Sequence, residues 1–85
     1  MGIDAKYGKV TLENPPKSLI ESEPLFVLRA ADALAVQTIA RYRNFADSIE
    51  EKTKPPHSWF EALDKVIADF AAWQQKHASR VKVPD

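Results

Sequence analysis

The sequence contains no cysteine. Disulfides therefore cannot brace the fold, and a cysteine-based zinc site is excluded. Only two glycines occur in 85 residues, Gly2 and Gly8, so there is no glycine-rich loop to cradle phosphates. Net charge is missing too, because twelve Lys and Arg balance twelve Asp and Glu. A duplex binder that works by counterion release carries a clear basic excess, so no long nucleic acid is expected as a partner. No apolar run reaches 18 residues, and no membrane span is expected. Met1 to Glu13 is charged throughout and lacks an apolar signal core, which points to the cytoplasm.

What remains is one small globular domain, with hydrophobic residues at 45%. A chain of this length buries only roughly 60–65% of its unfolded surface, so its stability is marginal without a supplement. With disulfides excluded, oligomerisation is the remaining common supplement, and a homo-oligomer is expected.

Residues 1–9 are polar and are expected to fray. Val10-Thr11-Leu12 alternate as a short strand would, and Asn14-Pro15-Pro16 stops them. Residues 1–23 read as an extended arm pinned by Leu19 and Ile20, with 24–85 as the helical body. Leu25 to Leu28 is a four-residue apolar run, either a buried strand or the start of a helix, and residues 25–29 are assigned as extended. Asp32 is a candidate N-cap.

From about 33 to 51 the chain is rich in alanine and free of Gly and Pro, as a helix requires. Ala35, Ile39, Tyr42, Ala46 and Ile49 define one face, widened by Val36 and Phe45. Lys52 to His57, with its Pro55-Pro56 pair, is the break. Ser58-Trp59-Phe60-Glu61 matches a capping box that starts a second helix over about 59–77. Trp59, Leu63, Val66, Phe70, Trp73 and His77 form its stripe, with Phe60 and Ile67 beside it. The expected fold is mainly α: an antiparallel two-helix hairpin with strand-like segments near 10–12, 25–29 and 81–83. The tail strand would lie beside 10–12 or 25–28. Two helices cannot enclose a core alone, so Ile39, Phe45, Trp59, Phe70 and Trp73 are candidate oligomer-interface residues.

Chemistry-bearing residues are few. Arg29 and Asp32 stand in an otherwise apolar stretch; either Arg29 grips a phosphate or carboxylate in a pocket, or Asp32 caps the helix and Arg29 snorkels. Arg41, Tyr42 and Arg43 form a basic-aromatic cluster suited to a nucleotide, with the guanidinium on phosphate and the ring on a base. The two arginines stand about 200° apart around a helix, so one chain cannot close both on one phosphate. The alternative is a solvated face paired with carboxylates. Trp59 and Trp73 form either a stacking platform or a core and interface stripe. His57 and His77 fall at opposite ends of the second helix, roughly 30 Å apart by helical rise, so no metal site is expected. No zincin, nucleophile-elbow or serine-triad pattern is present, and neither catalysis nor a cofactor is expected.

Glu23 to Ala35, with Ala72-Trp73-Gln74 and the ending Val81-Lys82-Val83-Pro84-Asp85, resembles a group of short uncharacterised proteins encoded in bacteriophage and prophage genomes. The resemblance covers about a third of the chain and carries no assigned site residues. It implies an accessory protein that counters host defence, either by blocking a host protein or by sequestering a cyclic nucleotide signal in an oligomeric sponge. Ligand contacts are then expected from Arg29, Asp32, Arg41, Tyr42 and Arg43, gathered from different subunits. A docking module for a host protein and a structural subunit are the alternatives.

Overall fold

The computed structural model describes residues 2–84. Two α-helices pack on each other beside a small three-stranded sheet. Helix α1 spans Ala35–Ser48 and helix α2 spans His57–Lys76. Arg43, late in α1, reaches Asp64 early in α2 at 3.1 Å, while Gln74, late in α2, reaches residues 30 and 32 just ahead of α1. The helices therefore run antiparallel, as the short Pro-containing connection requires.

The small side chains of Ala35 and Ala46 let α2 approach closely, and with Ile39 and Phe60 they are the buried apolar residues. Tyr42 and Phe45, expected on the inner face, are exposed instead, because α2 covers only the strip through Ala35, Ile39 and Ala46. Tyr42 meets the edge of Trp59 at a ring separation of 5.4 Å.

Several boundaries differ from expectation. Asp32 precedes the helix rather than capping it directly. Its carboxylate accepts from the Leu34 amide at 2.8 Å and its carbonyl from the Ala35 amide at 3.0 Å, which forms an Asx turn leading into α1. At the far end Ile49 turns extended, and only a single 3-10 turn, Glu51–Thr53, follows before the prolines. The capping box does not form. Pro56, extended at φ −65° and ψ 159°, is the N-cap and α2 begins at His57, so Ser58 lies inside the helix, and Glu61 pairs with His57 at 3.0 Å.

The N-terminal arm is the largest departure. Residues expected to fray form a hairpin of β1 (Gly2–Asp4) and β2 (Gly8–Val10), and β3 (Pro24–Leu25) pairs with β1 in parallel, giving the order β2-β1-β3. The expected strand at 10–12 is thus shifted to 8–10, and that at 25–29 shrinks to Pro24–Leu25. Gly8, at φ 81°, adopts the left-handed backbone that closes the hairpin. Gly2 is required for a different reason: a Cβ there would collide with the Leu25 side chain and stand 2.8 Å from the Glu23 carbonyl. Asp4 is fully buried and holds the sheet to the body. One carboxylate oxygen accepts from the Lys6 and Tyr7 amides at 2.6 and 3.1 Å. The other accepts from the Val27 amide at 2.6 Å and from the Lys6 ammonium at 3.1 Å. Of the two expected pins, Leu19 is half-buried but Ile20 is exposed.

The tail does not join the sheet. Lys82 bridges in parallel to Asp32, through Ala33 N–H to the Lys82 carbonyl at 2.9 Å and Lys82 N–H to the Ala31 carbonyl at 3.0 Å. That pairing places the C-terminal segment beside the start of α1.

Candidate functional site

A cavity of about 670 Å³ opens where the hairpin turn, the segment before α1, the end of α2 and the C-terminal segment converge. That volume lies within the range of small-molecule sites. Each wall has a separate local cause. The Asp4 turn presents Lys6 and Tyr7. The loss of strand pairing after Leu25 leaves Phe26, Val27 and Arg29 free of the sheet. The last turns of α2 bring Trp73, and the Lys82 bridge brings Arg80 and Lys82.

Among the described residues the charged lining is mostly cationic, with Lys6, Arg29, Arg80 and Lys82 set against the carboxylate of Asp32. Lys6 is the most constrained of the cations. It lies 3.1 Å from the Asp4 carboxylate and 3.8 Å above the Phe26 ring centre. Among the described residues neither Arg29 nor Arg80 forms an ion pair. Three rings, Tyr7, Phe26 and Trp73, complete the wall, and Trp73 is steadied by His77 at a ring separation of 4.6 Å. Two exposed guanidinium forks beside aromatic faces can hold an anion on one side and stack a planar group on the other.

Burial alone would raise the pKa of Asp4, but hydrogen bonds from Val27, Lys6 and Tyr7 outweigh it, and the carboxyl is held below its ordinary 3.8. Asp4 is therefore an anion at neutral pH, and it fixes Lys6 at the cavity wall.

Of the residues singled out in the sequence, Arg29 and Asp32 line this cavity. Arg41, Tyr42 and Arg43 do not. Arg43 is a structural residue of the helix pair, bonded through Nε to Asp64 at 3.1 Å and set 5.0 Å from the Phe60 ring centre. Arg41 and Tyr42 are exposed along α1. The candidate interface residues also separate. Ile39 is buried between the helices, Trp59, Phe70 and Trp73 are half-buried, and Phe45 is exposed.

No family model, curated protein or solved structure matches the chain.

A second concavity near the helix connection is lined by Arg43, Lys54 and His57 against Asp47, Glu51, Glu61 and Asp64. There each cation has a carboxylate partner, and the carboxylates are in excess. Lys54 contacts Glu51 at 3.3 Å and Asp47 at 3.5 Å, and its pKa is raised, chiefly by the Glu51 hydrogen bond. No metal-competent cluster occurs among the described residues, and no helix among them is long and apolar enough to cross a membrane.

Gln74, to which the sequence assigns no site role, clamps the cavity wall. Its side-chain amide donates to the Ala30 and Asp32 carbonyls, both at 3.1 Å, and so clamps the segment carrying Arg29 to α2. Arg80 and Lys82 had a readable signal in the alternation of Arg80-Val81-Lys82-Val83, although Arg80 ends a 3-10 turn, Ala78–Arg80, and the chain turns extended only at Val81.

Proposed function

We propose that this chain is a non-catalytic, oligomeric phage-type accessory protein that binds a small anionic ligand, and that the ligand is a cyclic nucleotide signal. The observation that carries this reading is the cavity end of the molecule. Arg29 and Arg80, without ion pairs among the described residues, stand there with Lys82 and the rings of Tyr7, Phe26 and Trp73. A nucleotide offers both matching parts, phosphates for the guanidinium forks and a base for the rings. Asp32 suits an amino or hydroxyl group rather than a phosphate. With no built acid-base pair in the cavity, the ligand is held and not turned over, which is the behaviour of a sponge acting in a host cell's cytoplasm.

Native mass spectrometry and calorimetric titration with a panel of cyclic di- and trinucleotides, and with inorganic phosphate, test it. Stoichiometric uptake of one nucleotide is expected. Charge-assisted hydrogen bonds contribute about 1.5–3 kcal/mol each, so Arg29→Ala and Arg80→Ala should each weaken binding about ten- to hundredfold. Both side chains are exposed, and the helical signal should stay at the wild-type level in each variant. Absence of any uptake, or unchanged affinity in both variants, sinks the reading.

A docking module for a host protein is the second reading, favoured by the apolar residues left exposed along α1, with Phe45 at 69%. It predicts that wild-type protein takes up no nucleotide.

A further inference from the structure

The chain exposes far more surface than its size requires. Its accessible area is 6843 Å². A compact monomer of its 9.6 kDa should expose about 5,100 Å². The radius of gyration, 14.6 Å, likewise exceeds the about 12 Å expected for 85 residues. The excess is about 1,700 Å², roughly twice what one partner buries in a standard interface. Some of it belongs to residues 11–18, which are all exposed. The rest includes the outer strip of α1, where Leu34 is 54%, Tyr42 58% and Phe45 69% exposed.

That strip has an internal symmetry. Leu34, Thr38, Phe45 and Ile49 fall within about 60° of the helix circumference at 100° per residue, centred about 90° around from the strip of Ala35, Ile39 and Ala46 buried against α2, and Ile49 is itself half-buried. Their spacing reads the same from either end, four residues inward from Leu34 and four inward from Ile49, with Arg41 and Tyr42 at the midpoint. A two-fold axis through that midpoint sets Leu34 against the partner's Ile49 and Thr38 against the partner's Phe45, small against large. It also sets Arg41 against the partner's Tyr42, a cation over a ring. Isologous contacts demand this self-complementarity, which a foreign partner does not. The two Arg41 side chains come near the axis, and each is offset by the facing ring. Copies with a formal net charge of zero do not repel one another at a distance.

We infer that the outer face of α1 is a homodimer interface, in which a second copy of this chain lies antiparallel across the Arg41–Tyr42 midpoint and covers Leu34, Phe45 and Ile49. The proposed interface touches the cavity only at Leu34, which lines both, while Phe45 lies outside the cavity lining, and the test uses no ligand.

Sedimentation and light scattering of the full chain should give at least twice the chain mass at micromolar concentration. Phe45→Glu should lower the mass to that of a single chain, or halve it where dimers assemble further, while the helical signal stays. Lys65→Glu, on the outer face of α2, should keep the wild-type mass. If Phe45→Glu loses its helical signal, Leu34→Lys reads the same face at the opposite end of α1. Because the chain has no cysteine, disulfide trapping gives direction. Thr38→Cys mixed with Phe45→Cys should yield a mixed dimer, whereas Thr38→Cys alone should cross-link poorly. A wild-type chain that stays single overturns the inference and leaves this face to a foreign partner. A folded Phe45→Glu or Leu34→Lys that keeps the wild-type mass, or efficient trapping of Thr38→Cys with itself, also overturns it.

Discussion

Replacing Gln74 by glutamate isolates the clamp that holds the cavity together. The amide of Gln74 donates to the carbonyls of Ala30 and Asp32, each at 3.1 Å, and both carbonyls belong to half-buried residues. A carboxylate at pH 7 has no proton to donate, so Gln74→Glu removes both bonds and turns an anion toward two carbonyl oxygens. Each lost bond is worth about 0.5–1.5 kcal/mol net. Water reaches the half-buried carbonyls and offsets part of the loss, so a total of about 1–2 kcal/mol is expected. For a domain of this size each kcal/mol lowers the melting temperature by about 4–8 °C, which gives a drop of about 4–16 °C. Urea unfolding followed by circular dichroism reads the loss directly. Gln74→Leu should fall by less, because it loses the bonds without adding repulsion. The same substitution should weaken ligand binding, since residues 29–33 lose their tether to α2. A Gln74→Glu protein within about 0.5 kcal/mol of wild type would refute the clamp.

Two further changes test the core and the sheet. Phe60→Ala removes the largest buried apolar side chain, which also meets Trp59 at 5.1 Å and Arg43 at 5.0 Å. It should cost about 3–5 kcal/mol in urea melts, and a cost under about 1 kcal/mol would show that the helix pair does not depend on it. Asp4 titrates below its ordinary 3.8 in the folded chain, so its contribution is complete above that pH and is lost as the pH falls through the lower folded value. The Tyr7 and Val27 amides should then lose protection, relative to their intrinsic exchange rates, once the pH falls below that lowered folded value, read by nuclear magnetic resonance; in Asp4→Asn that acid step should vanish, and an acid step that persists there would assign it to another group.

The helices were legible because their signals are local and repeated. Alanine content and the spacing of Ala35, Ile39 and Ala46 place α1, and the Pro55-Pro56 pair places the break. The hairpin was not legible, since it depends on pairing across the chain. Polar residues 2–9 become ordered because Asp4 reaches Val27, 23 positions away, and nothing within nine residues announces that bond. The site was half legible for the same reason. Arg29 and Asp32 stood out as charges in an apolar run, whereas Lys6, Arg80 and Lys82 join them only through the turn at one end and the bridge at the other. Arg41 and Arg43 drew attention as a motif, but a motif does not reveal a partner: Asp64 takes Arg43 from the facing helix.

The balanced total of charge conceals an unequal distribution. Around the helix connection, Asp47, Glu51, Glu61 and Asp64 meet Arg43, Lys54 and His57, and the ion pairs there are side-chain contacts at the surface. Such pairs contribute little stability each, and with four carboxylates against Arg43, Lys54 and His57 that concavity keeps an acidic excess. The opposite end keeps Arg29 and Arg80 without carboxylate partners among the described residues, beside Lys6 and Lys82. At physiological ionic strength charge is felt over about 8 Å, so the proposed ligand would meet a local cationic cluster among the described residues although the chain as a whole is neutral. A long polyanion needs a basic face along its whole length, and among the described residues the unpaired arginines noted above cluster at the cavity end. A compact anion needs only that end. Zero net charge and the proposed anion site are therefore compatible, and together they would favour a small ligand over a nucleic acid.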